Sequence, residues 1–488
     1  MASRGLRAWL RDYGAKAFGI DLRALAAFRI ALGLTLLGLV GSLSLDFELL
    51  FTGGGVLPAR AVWPAAPGRL LDPSPLHAVV DSPAFVLALL AAMASAAVFL
   101  AAGRFSRTAA FCLWVGMSFL VRRNPYTSNA SHNMVLFCLL WSLFLPVAGW
   151  ASLDQRRGRV SPLPRQVVSP ASAGLVVQIV FVYVTAALAK SGPVWHAEAT
   201  ALFSVAHDER YQTLFTPLFA ALPAPALAAL THFVWHLEAL APLFLLSPVL
   251  FVPARVAATL LLAALHLGLG VFMRLGVFPW ICLTYLIVLL PEAFWDRLVP
   301  GAAPAAAPAA PARAGPGRRA AQALAGLLLA VTLAGYIRLV PGLAGNAPAW
   351  MRQLAGQLRI GQVFRLFAGV GPATSRYLVL GRLADGSLVE LPALEPAQPA
   401  WEVAGISVAP DGSGRFPWIQ YSGLLGHPGF YRTAQAPHLA AFYCRRLAEG
   451  AARLEEVEIY HFARRTDLAS RPTFARIAYA FPCRGPLP

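Results

Sequence analysis

Apolar residues in this chain come in long unbroken runs, not in the one-sided stripes of a soluble helix or the alternation of a half-buried strand. Runs long enough to cross a bilayer lie near 22–45, 84–102, 106–121, 133–151, 173–190, 224–247, 254–273, 275–291 and 319–340. The third and eighth are short against the roughly 20 residues a span needs, so the pattern predicts about nine spans. The first run is too long for a signal-peptide core and lacks a persuasive cleavage site, so it reads as a retained span. Residues 299–318 are an Ala/Pro tract, predicted to be an extended, semi-rigid linker ahead of a last membrane helix over 319–340. From about 350 the pattern changes. Tyr377–Leu383 and Ser387–Leu391 flank Asp385-Gly386 and predict a β-hairpin. His438–Leu454 predicts a helix, and Val457–Phe462 and Arg476–Phe481 predict strands. The expected fold is mainly α: a polytopic membrane helical bundle over 1–298, then the linker, the last helix and a small α+β extramembrane domain over 350–488.

Composition agrees with this pattern. The hydrophobic share is 58% and the charged share 13%, where a soluble domain has about 45–50% and about 25%. A net charge of +17 would suit nucleic acid, but the arginines are scattered at the ends of apolar runs and form no compact basic patch with interleaved aromatics. No nucleic-acid partner is expected. Arg4, Arg7, Arg11, Lys16 and Arg23 flank the first run, Arg156, Arg157, Arg159 and Arg165 follow the fourth, and Arg297, Arg313, Arg318 and Arg319 precede the ninth. These clusters share one side if the N-terminus is cytoplasmic; Arg122-Arg123 is the exception. The expectation is a multi-pass inner-membrane protein with its C-terminal domain outside. There Cys444 and Cys483 would meet an oxidising compartment and could pair or remain free. The five cysteines show no metal spacing.

Only two of the 40 Lys+Arg residues are lysines, Lys16 and Lys190. An Ala/Gly/Pro/Arg-rich composition suggests a GC-rich genome, which favours arginine wherever charge alone matters. A lysine retained at the end of the apolar run Ala173–Ala189 therefore has two readings: a group that must lose its proton, which arginine cannot do, or a cation snorkelling from a helix end. His132 opens the fourth run, His266 lies inside the seventh and Glu238 inside the sixth, and ionisable residues inside spans usually face a cavity or a partner. A neutral lysine beside histidines makes a proton-transfer site. The plainer alternatives are a core histidine at 266 and, at 238, a structural partner for a buried donor such as Arg29. His232 and His236 have the i, i+4 spacing of metal ligands but no third ligand in a known pattern, so no metal is expected. No phosphate-binding loop, nucleophile elbow or dinucleotide fingerprint is present.

Taken in order, several segments resemble the HTTM family, the transmembrane domain shared with vitamin K-dependent γ-glutamyl carboxylase. They are Phe18–Ile30 with Phe51–Pro58, Ser131–Asn133 with Leu145-Pro146 and Trp150–Asp154, Gln178–Tyr183 through Lys190 to Trp195, and His266 with Gly276–Phe278. The resemblance covers roughly residues 18–298. It implies a membrane lyase in which Lys190 is the base that deprotonates a reduced naphthoquinone. Reaction with oxygen then yields quinone epoxide and a base strong enough to allow carboxylation of a glutamyl side chain. By the same resemblance His132 partners the charged intermediate and His266 lines the glutamate or quinone pocket; Glu238 and Trp195 are expected beside it as substrate- or quinone-binding residues. The implied partners are membrane lipid, quinone and a peptide or protein substrate. Two further readings stay open: a quinol oxidase or epoxidase without carboxylation, and a non-catalytic scaffold that binds quinone or lipid and presents its outer domain to a partner.

Overall fold

The computed structural model describes residues 2–63, 76–208, 211–300, 315–337 and 347–370. In the C-terminal region it describes 373–384, 386, 388–391, 401–403, 406–408, 435–446, 454–465 and 473–484. The bundle is built from α1 (Ala2–Phe18), α2 (Leu22–Ser44), α3 (Pro83–Ala102), α4 (Ser106–Arg123), α5 (Ala130–Ser142), α6 (Pro170–Ala189), α7 (Ala224–Leu245), α8 (Phe251–Phe272), α9 (Phe278–Leu286), α10 (Glu292–Leu298) and α11 (Pro316–Ile337), followed by the short α12 (Ala349–Gln357).

Local chemistry sets the helix starts. Asp21 accepts the Arg23 backbone N–H at the head of α2. Asn129 and His132 form a reciprocal cap on α5, and Ser169 and Ser172 form another on α6, where Pro170 takes the first turn. Gly103 ends α3 in the left-handed region (φ 71°), and a β-carbon there would run into the Arg29 guanidinium. Gly174 lets α6 close on the Trp141 ring of α5, and the Trp141 indole donates to Gln178 one turn further on.

Among the described residues, six helices are long and apolar enough to cross a membrane: α2, α3, α6, α7, α8 and α11. A seventh appears if α9, its 3₁₀ tail and α10 are taken as one broken span bent by 102°. This falls short of the predicted nine. The third run forms α4, which carries Arg107, Arg122 and Arg123. The fourth forms α5, whose 13 residues reach only about 20 Å against a hydrocarbon core of about 30 Å. Nearly all of α5 is buried among its neighbours, so its apolar composition reflects packing against protein on every side. The eighth run forms α9 and its 3₁₀ tail, the first arm of the bent pair. The last helix begins at Pro316, taking in the end of the predicted linker, whose residues 301–314 lie outside the described residues.

Polar ties mark the two ends of the bundle. At the N-terminal end Arg23, itself bonded to Asp21, reaches Asp296 (2.8 Å), and Arg165 binds Asp296 (2.6 Å) and Glu292 (3.1 Å). This joins the start of α2, the segment before α6 and the start of α10. The pair that broke the charge pattern sits at the other end. Arg123 is fully buried, donating to Leu57 O (2.7 Å) and Asp81 (2.5 Å), while Arg122 donates to Gln357. These two arginines are structural cations that tie the 46–83 loop and α12 to α4.

Among the described residues the C-terminal region has a four-stranded antiparallel sheet, a two-stranded antiparallel pair (Trp401–Val403 with Ile406–Val408) and one helix. The strands β1 (Ala373–Leu383), β2 (Leu388–Glu390), β3 (Leu454–Arg465) and β4 (Thr473–Pro482) lie in the order β2-β1-β3-β4, beside α13 (Gln435–Arg446). The predicted hairpin is the β1–β2 pair, with Gly386 at φ 84°; Asp385 lies outside the described residues. The predicted strands are the inner parts of β3 and β4. The predicted helix starts three residues early and, as described, stops at Arg446. Cys444 and Cys483 are joined in a disulfide that clips α13 to the end of β4.

Candidate functional site

Lys190 is the residue at which α6 stops. Its backbone N–H still bonds to Ala186 O and Ala187 O, but its ψ of 56° turns the chain out of the helix. The side chain turns inward and is 2% exposed. Nζ lies 2.5 Å from Glu238 Oε2, on α7, and 5.1 Å from the centroid of the Trp195 ring. Its carbonyl accepts from His196 Nε2 (2.8 Å), and the Trp235 indole donates to Ala187 O (3.3 Å). The amine, the carboxylate and the indole thus form one buried unit where α6 meets α7. An ammonium over an indole face gains the attraction of the ring quadrupole. A buried carboxylate needs the counter-ion that lysine supplies.

This unit forms one wall of a narrow, mostly apolar cavity whose free volume is about 40 Å³. The opposite wall is α8. There His266, 4% exposed, shares a hydrogen bond between Nε2 and the Tyr183 hydroxyl (3.0 Å), and Tyr183 in turn meets the Tyr285 hydroxyl (3.2 Å). His266 Nδ1 is buried and has no partner among the described residues. Such an atom in a folded interior is costly unless a ligand or water completes it.

The cavity is closed by a segment from far along the chain, the stretch between α12 and β1. Phe364 stacks on Phe278 (centroids 5.6 Å, 12°), and its backbone N–H is held by Thr185 Oγ1 (2.9 Å). Phe367 meets Tyr211 edge-on at 5.5 Å, and its carbonyl accepts from the Trp195 indole (2.9 Å). Phe367 sits at φ 59° and Arg359 at φ 54°, a region that a side chain with a β-carbon seldom adopts. The fixings at Thr185 and Trp195 hold the segment in place despite that strain.

Four of the residues singled out in the sequence, Lys190, Glu238, His266 and Trp195, therefore line one cavity. His132 is not among its lining residues. Its Nδ1 accepts the Asn129 backbone N–H (3.2 Å) in the cap of α5. Arg29 is not the partner of Glu238; it donates to Ala151 O (2.8 Å). The His236 ring donates to the His232 carbonyl (2.7 Å), and the two rings lie 6.5 Å apart on an exposed face. Sequence reasoning missed Tyr183, Tyr285, Phe364 and Phe367. The tyrosines lie inside apolar runs, where only their hydroxyls signal a role. The phenylalanines come from a stretch with no periodic signal.

Residues 76–295 match the family model of the HTTM domain. No curated protein and no solved structure matches the chain. The matched span contains Lys190, Trp195, Glu238 and His266 and stops short of the segment that closes their cavity. With several helices long enough to cross a bilayer, the chain is a multi-pass membrane protein whose residues 76–295 are similar to the HTTM domain.

Proposed function

We propose that the Lys190 cavity is a base-catalysis site for a reduced naphthoquinone, of the kind used by vitamin K-dependent γ-glutamyl carboxylases. One observation carries this reading: a buried primary amine paired with a carboxylate at the wall of an apolar cavity. The amine and the carboxylate share one proton across their hydrogen bond as a neutral unit, whichever atom holds it. With that proton on Glu238, Nζ keeps a lone pair for a substrate hydroxyl. The ammonium that then forms lies beside the carboxyl group and the Trp195 face, both of which stabilise it. Arginine at 190 would offer no such cycle.

The residues present fit a quinol. His266 Nδ1 offers an unmet hydrogen bond for a ring oxygen, held in orientation by Tyr183. The free volume suits waters and is too small for a fused ring, so Phe364 and Phe367 must withdraw to admit one. Once bound, the quinol supplies, with oxygen, the strong base that precedes carboxylation. His132, assigned by resemblance as a partner of the charged intermediate, would act from outside the cavity lining. The Cys444–Cys483 disulfide supports placing the C-terminal domain in an oxidising compartment, outside the inner membrane.

The test uses membranes containing the chain, given reduced naphthoquinone, oxygen and labelled bicarbonate, with quinone epoxide followed by mass spectrometry. Lys190→Arg should lower epoxide formation on the order of 100-fold or more, the usual share of a general base. Full activity in a well-folded Lys190→Arg protein would sink the base role. One observation favours the scaffold reading instead: Phe364 and Phe367 fill the cavity from within the chain. In that case the Lys190–Glu238 pair is a structural clasp, and no epoxide forms with any quinone.

A further inference from the structure

The N-terminal helix α1 is amphipathic in a way that the rest of the bundle does not use. Leu6, Trp9, Leu10, Tyr13 and Ala17 follow the i, i+3, i+4 rule and form one stripe. Leu6, Trp9 and Leu10 are 59, 51 and 52% exposed, so most of the stripe has no protein against it. Helix register places positions 4, 8 and 11 away from the stripe and position 7 on its flank, and Arg11 and Lys16 are exposed. The single acid, Asp12, lies 3.8 Å from Arg11, with both side chains exposed. The Trp9 and Tyr13 rings are stacked, with centroids 5.4 Å apart.

The helix is fixed where the membrane spans begin. The Tyr13 hydroxyl donates to Leu246 O, just past the end of α7. Buried Arg255, in the first turns of α8, donates to Ala17 O (2.7 Å) and Lys16 O (3.5 Å), closing the carbonyl end of α1. Gly19 and the extended Ile20-Asp21, paired with Gln166-Val167, then separate α1 from α2. So α1 is held at the bundle end where α2 and α8 start and α7 stops, with an aromatic-aliphatic stripe on one side and cations around the rest of the helix.

We propose that α1 is an interfacial anchor for an anionic phospholipid surface: its apolar stripe lies at the headgroup–acyl boundary of the leaflet on the N-terminal side, and Arg4, Arg7 and Arg11 hold headgroup phosphates. Charge and position select this occupant. A stripe with Trp9 and Tyr13 at its middle suits the membrane interface. Three arginines with one facing acid suit anionic headgroups, each contributing on the order of fivefold in binding. The proposal does not depend on the chemistry of the Lys190 cavity.

The full chain would be placed in lipid nanodiscs in a Cys112→Ser background. An environment-sensitive fluorophore would be attached at Leu10→Cys, on the stripe, or at Ala8→Cys, on the opposite face. Quenching by aqueous iodide and by lipid-borne spin labels would be read in discs of phosphatidylcholine alone and with phosphatidylglycerol added. With phosphatidylglycerol, position 10 should be shielded from iodide and quenched by the lipid spin label, and position 8 should stay open to iodide. Shielding at 10 should fall severalfold on omitting phosphatidylglycerol, on raising salt, or in an Arg4→Gln/Arg7→Gln/Arg11→Gln variant, which leaves the stripe intact. Equal iodide access at the two positions would overturn the proposal, and so would shielding indifferent to lipid charge. Shielding at 10 that appears in detergent and grows with protein concentration would also overturn it, in favour of a second copy of the chain.

Discussion

A lysine among arginines points to one atom, Nζ of residue 190, and its neighbours decide what that atom can do. Glu238 at 2.5 Å is the neighbour that the sequence did not assign to it. Positions 190 and 238 lie on different helices, and no periodicity links them. Removing one member of a buried pair leaves a charge uncompensated. Lys190→Met alone should therefore cost about 3–5 kcal/mol, and the double variant Lys190→Met/Glu238→Leu should recover much of it. Unfolding midpoints in mild detergent would check this. Additive losses in the double variant would show that the two groups do not depend on each other. The rarity of lysine was legible in the sequence, as were the intramembrane positions of His266 and Glu238. The role of Tyr183 in holding His266 was not, because a tyrosine inside an apolar run reads equally well as packing.

Among the elements, apolar run length proved a weaker guide than it looked. The run of α5 is apolar because other helices surround it, and burial in protein leaves the same mark on a sequence as burial in lipid, whereas α4 is half-exposed and carries three arginines. The linker was legible because Pro and Ala stand out; the closing segment was not, since Gly361–Val370 has neither a helical nor a strand period. That segment makes its own prediction. If Phe364 occupies the space a quinone ring needs, Phe364→Ala should tighten naphthoquinone binding on the order of tenfold, reflecting the roughly 1.5–3 kcal/mol needed to expose a buried aromatic ring. Equilibrium binding to the purified protein would measure it. Unchanged affinity would mean that the ring does not compete with the ligand.

At the scale of the whole molecule, the bundle and the C-terminal domain meet through charge as well as through the closing segment. His438 of α13 is held below its ordinary value, first by burial and then by the cations Arg60, in the 46–83 loop, and Arg445. A depressed histidine stabilises the fold above its unfolded value of about 6.5, and that contribution is lost as pH falls below it. Denaturation of the C-terminal domain should therefore grow easier between about pH 7 and pH 5, and His438→Gln should flatten that dependence. A variant that keeps the parent's full pH slope would assign the effect to other groups. The C-terminal domain was visible in the sequence as a change of pattern, but its grip on the bundle was not, since the contacting residues are far apart along the chain. One consequence of that grip concerns inheritance. The site has its floor in the matched HTTM span and its roof in residues well beyond it. An HTTM span moved onto a different tail would keep its lysine and lose its cover. In chains of this design the two parts must change together, and the residues of the HTTM span alone are a poor guide to whether the cavity is closed.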